Sequence, residues 1–449
     1  MAAVRAVEII QRKRAGEELS REEIEGLLMG YVRGEIPDYQ LSAWLMAVCF
    51  RGMSRQETLD LTSAMVMSGA VLDLSRVGLP VADKHSSGGV GDKTTLVVVP
   101  TVRACGAAVA KMSGRALGFT GGTLDKLQSI PGFRVNLSVD QFVHQVEEEG
   151  IAIAGQTPDL VPADRKLYAL RDVTGTVDSI PLIAASIMSK KLAVGARGLV
   201  LDVKVGRGAF MGSREEAMEL ARLMVEIGTA AGKRVSALLT PMDQPLGRAV
   251  GNAVEVKEAI QTLRGEGPAD LVDLSTLLAG EMLYLVEQAD SPAAGREAAL
   301  RALSSGRALE WMERLLELQG GDPRVLEDVD RLGRAPVVMQ VEAPRSGWVV
   351  GLDARGVAQA ALVLGAGRAT KEDSVDPLVG VWLRAKVGAE VVRGEPLAEV
   401  HARDPGAAGR AVAEVLRAYS LSGEPPKPAA ERFERCGSLQ GSVSVDYAL

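Results

Sequence analysis

The sequence predicts an α/β protein with a helical N-terminal segment and a strand-rich C-terminal segment, and three patterns carry that reading. Capping boxes punctuate residues 1–67. Short apolar runs then alternate with capped helices from Val81 to Gly320. From Val337 onward, short apolar stretches stand between Gly, Pro and charged turns.

In Ser20-x-x-Glu23 and Ser54-x-x-Glu57 a hydroxyl and a carboxylate stand three apart ahead of apolar residues at helical spacing. Each side chain can then satisfy an orphan N–H of the other's residue, which starts a helix. Pro37-Asp38 opens another helix over Tyr39 to Phe50, with Leu41, Trp44, Leu45 and Val48 on one side. These elements predict a helical domain over residues 1–67. The small residues between Ser68 and Pro80 predict a hinge.

Across 80–330, the runs Ala107 to Ala110, Ile151 to Ala154 and Leu199 to Val205 predict buried strands. Ser138-x-x-Gln141 begins a helix ending near Gly150, and Ser213-x-x-Glu216 another ending near Gly228. Such alternation predicts a mainly parallel sheet. Leu96 to Val99 fits strand or helix; a helix is preferred, because it sets Thr95 and the preceding loop at a positive N-terminus. Gly320-Gly321-Asp322-Pro323 and the charged stretch to Pro336 predict a linker. Beyond it, Val337 to Val341, Gly347 to Leu352, Val379 to Leu383 and Glu390 to Val400 predict strands of a domain over 336–449. Lys386 to Leu397 resembles a biotinyl/lipoyl-type sandwich. Without a Met-Lys-Met turn, and with Lys371 set among charges, it is expected to be a structural addition and no carrier.

A formal charge of −7 without any basic block argues against a nucleic-acid surface, while leaving room for a local cationic pocket. Cys49, Cys105 and Cys436 are too scattered for a disulfide framework or a zinc site. The segment Arg5 to Arg14 lacks a signal-peptide apolar core, and no apolar run reaches membrane-spanning length. A soluble, cytoplasmic protein is expected.

Two glycine-rich stretches carry the chemistry, Asp83 to Thr95 and Ser113 to Asp125. Both combine glycines, which let backbone N–H groups approach a ligand, with hydroxyls and cations, as a phosphate dianion requires. The first is no Walker A loop, since Asp92 separates Gly91 from Lys93. Neither gives G-x-G-x-x-G in a Rossmann setting. A third segment runs Tyr168 to Thr174 and then Ser179 to Lys191. Ser186 and Lys190 share a helix face beside Ile183 and Ile187, and Arg171 can join them. A pyrimidine edge of two carbonyls and an N–H matches Arg, Lys and Ser at an apolar wall. The plainer reading of Lys190-Lys191 is a solvated helix end.

Together the motifs Asp83-Lys84-His85-Ser86-Ser87-Gly88-Gly89-Val90-Gly91-Asp92, Ser113-Gly114-Arg115-Ala116-Leu117-Gly118-Phe119-Thr120-Gly121-Gly122-Thr123 and Tyr168-Ala169-Leu170-Arg171-Asp172-Val173-Thr174 closely resemble the thymidine/pyrimidine-nucleoside phosphorylase family. Gln244-Pro245-Leu246-Gly247, Gly251-Asn252 and Gly365-Ala366-Gly367-Arg368 extend the resemblance over nearly the whole chain. Ser87, Ala116, Phe119 and Gln128 depart from the pattern, and Phe119 replaces a usual histidine.

The resemblance implies a small helical domain, including a return at 163–195, closing over a larger α/β domain with a mixed sheet. A C-terminal α+β, barrel-sandwich-like domain and a homodimer are implied as well. It assigns phosphate to Lys84, Ser86, Thr95, Ser113 and Thr123, with Lys84 the main charge. It assigns the base to His85, Arg171, Ile183, Ser186, Lys190 and Phe210. The implied reaction is reversible phosphorolysis of uridine, thymidine or deoxyuridine to free base and (deoxy)ribose 1-phosphate. Phosphate is the co-substrate and no organic cofactor is expected. Arg171 and Lys190 would stabilise the departing base. His85 would donate a proton to it, its ordinary pKa lying near neutrality, or would only hydrogen-bond. His144 and His401 lie outside the motifs and are expected to be structural or surface residues.

Some bacterial members hold potassium at positions matching Gly91, Lys93, Leu246, Ala249 and Glu258, with threonine at the second. Either potassium is kept here, or the Lys93 ammonium takes its place beside Glu258, or Lys93 is solvated. Three other readings compete: a thymidine-restricted phosphorylase, a related phosphoribosyltransferase and a non-catalytic nucleoside-binding protein. A phosphoribosyltransferase would need acidic ligands for Mg²⁺, where these loops offer hydroxyls and Lys84. A base-binding protein would need none of the phosphate-contact residues.

Overall fold

In a computed structural model of the chain, residues 5–115, 121–368, 373–426, 433–439 and 442–447 are described. The chain opens with α1 (Ala6–Ala15), α2 (Arg21–Val32), α3 (Asp38–Arg51) and α4 (Arg55–Met67). Ser20 and Ser54 form both capping boxes. α3 starts after Pro37 and buries Leu41, Trp44, Leu45 and Val48.

The chain then runs β1 (Val81–Ser86), α5 (Thr94–Ala104), β2 (Ala108–Ser113), α6 (Thr123–Gln128), α7 (Val139–Glu149) and β3 (Ile151–Gly155). It continues through α8 (Pro162–Thr174), α9 (Ile180–Val194), β4 (Gly198–Val205), α10 (Arg214–Ala230) and β5 (Arg234–Pro241). Next come β6 (Ala249–Gly251), α11 (Ala253–Leu263), α12 (Ala269–Leu285), α13 (Pro292–Ser304) and α14 (Arg307–Leu318). The segment Leu96 to Val99 lies in α5, with Thr95 in its first turn. Ser138 and Ser213 cap α7 and α10 as expected.

The C-terminal part comprises β7 (Val337–Glu342), β8 (Gly347–Leu352), α15 (Ala354–Leu364), β9 (Gly380–Leu383), β10 (Glu390–Val391) and β11 (Pro396–Ala402). It ends with α16 (Pro405–Ala418), β12 (Tyr419–Ser422), β13 (Glu434–Leu439) and β14 (Ser442–Tyr447). The stretch Glu390 to Val400, expected as one strand, is broken at a turn into β10 and β11.

The central sheet has the order β14-β13-β5-β4-β1-β2-β3. β1 to β5 are parallel, and β13 joins β5 antiparallel, so the sheet is mixed. β13 and β14, expected in the C-terminal domain, thus complete the central sheet. A second sheet, β6-β9-β11-β7, takes β6 from the α/β part and three strands from the C-terminal part. The stretch from Gly320 to Pro336 is no free tether: it forms two short 3₁₀ turns, and Val325, Leu326 and Leu332 are buried in the core shared by its neighbours.

α8 and α9 pack on α2, α3 and α4, and α9 also touches β1 and β2 of the sheet. Strand order reverses between β1 and β4, the kind of place where an open α/β sheet leaves a crevice for a ligand.

Candidate active site

At that crevice lies a cavity of about 740 Å³, roomy enough for a nucleoside and an anion together. β1, β2, α5 and α6 form one wall and α8 and α9 the facing one. His85, Ser86, Thr95, Lys111, Ser113 and Thr123 lie on the first wall; Tyr168, Arg171, Ile183, Ser186 and Lys190 lie on the second. Phe210, from the loop after β4, lines it too.

Of the expected phosphate residues, Ser86, Thr95, Ser113 and Thr123 are brought together and Lys84 is not among the lining residues. Ser86 Oγ donates to Asp92 Oδ2 at 2.5 Å and accepts from the Gly88 N–H at 3.3 Å. Ser113 Oγ is buried on the wall without a hydrogen-bond partner, and a buried orphan hydroxyl points to a ligand. Lys84 sits behind the wall, fully buried, donating to Thr94 Oγ1 and lying 3.4 Å from Asp202 Oδ2. Thr94 Oγ1 in turn donates to Asp92 Oδ1 at 2.6 Å, so Lys84 connects to Ser86 through a relay of polar groups. Burial alone would raise the Asp92 carboxyl, but Lys84, Lys204 and Lys126 with the Ser86 hydroxyl hold it well below its ordinary range. Lys126 also ties the two glycine loops, donating to Asp92 O at 2.7 Å from the last turn of α6.

Lys111 on β2 is a wall cation that the motifs did not assign. Its Nζ donates to Met112 O at 2.9 Å; burial, and then Lys191, push its pKa well down. Lys191 bridges Asp83 Oδ2 at 3.0 Å and Met112 O at 3.1 Å. The signal for Lys111 was a lysine directly continuing the apolar run Ala107 to Ala110. A cation inside a buried strand needs a reason.

On the facing wall, Lys190 Nζ donates to Ser186 Oγ at 3.1 Å and to Asp164 Oδ2 at 2.7 Å. It is therefore no solvated helix end. Asp164 lies outside the motifs, seven residues before Arg171 on the same helix. Arg171 is clamped by three backbone carbonyls: Nε donates to Thr176 O at 3.1 Å, Nη1 to Leu182 O at 3.1 Å and Nη2 to Val177 O at 2.7 Å. Burial draws its pKa down, yet an arginine remains cationic. The clamp fixes the direction in which its remaining N–H groups point.

His85 lines the first wall. Burial, followed by Lys191, Lys111, Lys190 and Lys84, drives its pKa well below the ordinary value. That direction favours the neutral imidazole, a ring that can hydrogen-bond. His144 is exposed, and His401 faces Glu399 in the C-terminal part.

Lys93 is buried. Its Nζ donates to Leu246 O and Ala249 O at 2.9 Å each and to Glu258 Oε2 at 2.5 Å. Gly91 has a φ of 71°, and a Cβ there would lie 2.6 Å from Leu246 O, so only glycine lets this loop press so close. The five-residue set is closed by its own ammonium and does not fit a potassium ion. Among the described residues, no group of three or more His, Cys, Asp and Glu is placed to hold a metal.

Models of a glycosyl transferase family match residues 7–69 as its helical bundle domain and 78–309 as its a/b domain. The pyrimidine nucleoside phosphorylase C-terminal domain model matches residues 348–422. Pyrimidine-nucleoside phosphorylases of Geobacillus stearothermophilus and Bacillus subtilis are each 52% identical, over 89% of this chain and 92% of theirs. The chain belongs to the pyrimidine-nucleoside phosphorylase family. Anthranilate phosphoribosyltransferase from Thermus thermophilus shares the fold, with a TM-score of 0.57 and 22% identity over 69% of this chain and 98% of that one.

Of the departures from the family pattern, Ser87 Oγ accepts from the Lys204 N–H at 2.8 Å, and Gln128 Oε1 accepts from Arg115. Ala116, Leu117 and Phe119, like Lys371, lie outside the described residues.

Proposed function

We propose that this protein catalyses reversible phosphorolysis of pyrimidine nucleosides, taking uridine, thymidine and deoxyuridine to the base and (deoxy)ribose 1-phosphate. The observation that carries the proposal is one cavity with hydroxyls and Lys111 on one wall and the Arg171–Ser186–Lys190 group on the other. Phosphate, held by Ser86, Thr95, Ser113 and Thr123 with Lys84 behind them, attacks C1′ from beneath the sugar with inversion. Cleavage builds positive charge on C1′ and negative charge on the leaving pyrimidine. The anion stabilises the first; Arg171 and Lys190 stabilise the second by charge-assisted bonds in a water-poor site. Ile183 and Phe210 flank the base. His85 hydrogen-bonds the base as a neutral ring, and an arriving phosphate raises its proton affinity by adding negative charge nearby. Closure of the helical layer over the sheet would bring the half-sites into reacting distance.

The Lys93 ammonium supplies the positive charge that potassium supplies in some relatives, so no potassium is required. The expected partner is a second copy of the chain. Supporting this, Tyr39, Met46 and Phe50 project from α3 with 73%, 37% and 81% exposure, an apolar stripe on the helical layer. No helix of the described residues is long and apolar enough to cross a membrane. A cytoplasmic setting is part of the proposal, supported by three free thiols.

The test is a phosphate-dependent absorbance change with uridine, thymidine and deoxyuridine in parallel. Turnover that needs phosphate supports the proposal. Absence of turnover with all three nucleosides sinks it.

A further inference from the structure

We infer that Arg115 is a further phosphate ligand, kept available by Arg368 of the C-terminal part and by the neutral side chain of Gln128; this rests on the cavity being a phosphate-and-nucleoside site. Arg115 follows Ser113 by two residues and lines the cavity. Its Nη1 donates to Asp125 Oδ1 at 3.1 Å and to Gln128 Oε1. The same Asp125 oxygen accepts from Arg368 Nη2 at 2.9 Å.

One carboxylate therefore serves two guanidinium groups, and it can neutralise the charge of only one. Their surroundings decide which. The Arg368 side chain is 19% exposed and that of Arg115 42%. Arg368 leaves the turn after α15, whose Ala366 carbonyl accepts from Asn252 Nδ2 at 2.8 Å, so its base is pinned to the start of α11. Arg115 rises from a glycine loop, and its second acceptor, the Gln128 amide, carries no charge. Arg368 is the fixed partner of Asp125, and Arg115 is the one that can turn. A phosphate dianion offers Arg115 stronger, two-pronged bonds than a shared carboxylate oxygen does. When Arg115 turns, Asp125 remains neutralised by Arg368. This gives the Gly365-Ala366-Gly367-Arg368 motif, remote in sequence from both anion loops, a positioning role at the site.

The experiment is calorimetric titration with inorganic phosphate, beside separate KM values for phosphate and uridine, on the full-length protein. Arg115→Ala should weaken phosphate binding about tenfold or more, and Arg115→Lys should recover part of it. Gln128→Glu, nearly isosteric, adds a carboxylate that holds Arg115 back and should weaken phosphate by a similar factor. Arg368→Gln should do likewise, because removing the Arg368 charge strengthens the hold of Asp125 on Arg115. In all of them KM for uridine should stay within about twofold, a split that a purely structural role would not produce. Unchanged phosphate affinity in folded Arg115→Ala and Gln128→Glu proteins would overturn the inference, as would equal losses for phosphate and uridine. Failure of the unmodified protein to bind phosphate would instead overturn the reading of the whole site.

Discussion

The Lys93 ammonium lies 2.5 Å from Glu258 Oε2, with the carbonyl oxygens of Leu246 and Ala249 each 2.9 Å from the same nitrogen. A lysine from the first anion loop thus occupies the centre of a cage whose other members come from the β5–β6 loop, β6 and α11. Both side chains are buried, so Glu258 needs a resident cation. That requirement holds whichever cation meets it.

Replacing K⁺ by a bulky organic cation at constant ionic strength should therefore leave activity and thermal midpoint nearly unchanged. Lys93→Ala should cost about 3–5 kcal/mol of stability, because it strands a buried carboxylate. Lys93→Thr should restore an oxygen ligand and create a potassium dependence of the midpoint. A potassium requirement in the unmodified protein would defeat this account of Lys93.

Arg171→Ala and Lys190→Ala should each lower kcat/KM for the nucleoside by about 10²–10³-fold, since each removes a charge facing the leaving base. Phosphate binding to the free protein should persist, because its ligands lie on the opposite wall. Calorimetry showing phosphate affinity lost while nucleoside turnover survives would reverse the assignment of the walls.

Lys84→Ala should cost about 2–4 kcal/mol of transition-state stabilisation although Lys84 stands behind the wall, because its charge reaches the site through Thr94 and Asp92. The fold should persist. Lys204 Nζ lies 2.9 Å from the Asp202 oxygen that Lys84 also faces, and it keeps that carboxylate compensated. Near-normal kcat/KM with phosphate in the folded variant would contradict the relay.

His85 should show no titration near pH 6.5 in the free protein when followed by its NMR ring resonances; its midpoint should lie lower and rise on adding phosphate. The depressed value also sets a sign for stability. Below about pH 6.5 the unfolded chain takes up a proton that the folded one refuses, so stability present above that pH is lost progressively as the pH falls towards the folded value. A free-protein midpoint at or above 6.5 would restore His85 as a ready acid.

What was legible in the sequence follows the range of the interactions. Capping boxes at Ser20, Ser54, Ser138 and Ser213 act over three residues, and all four cap helices. β1 was hidden because Asp83-Lys84-His85 does not look like a buried strand. Its charges are met by Lys191 and Asp202, more than a hundred residues away in the chain. The same distance concealed Lys84's place behind the wall and the pairing of β13 with β5. The motifs located the hydroxyls and the Arg171–Lys190 pair, whose spacing is local. They did not reveal the burial and the surrounding lysines that together lower the His85 pKa, since both depend on how β1, β2 and α9 converge.

The central claim, transfer of the pentose from pyrimidine to phosphate, is tested most directly by ³¹P NMR of inorganic phosphate with uridine and the full-length protein. The account predicts conversion of the phosphate signal into that of a pentose 1-phosphate in step with release of uracil, and the reverse change when uracil is added to the product. Release of uracil with the phosphate signal untouched, or no change in either, would contradict it.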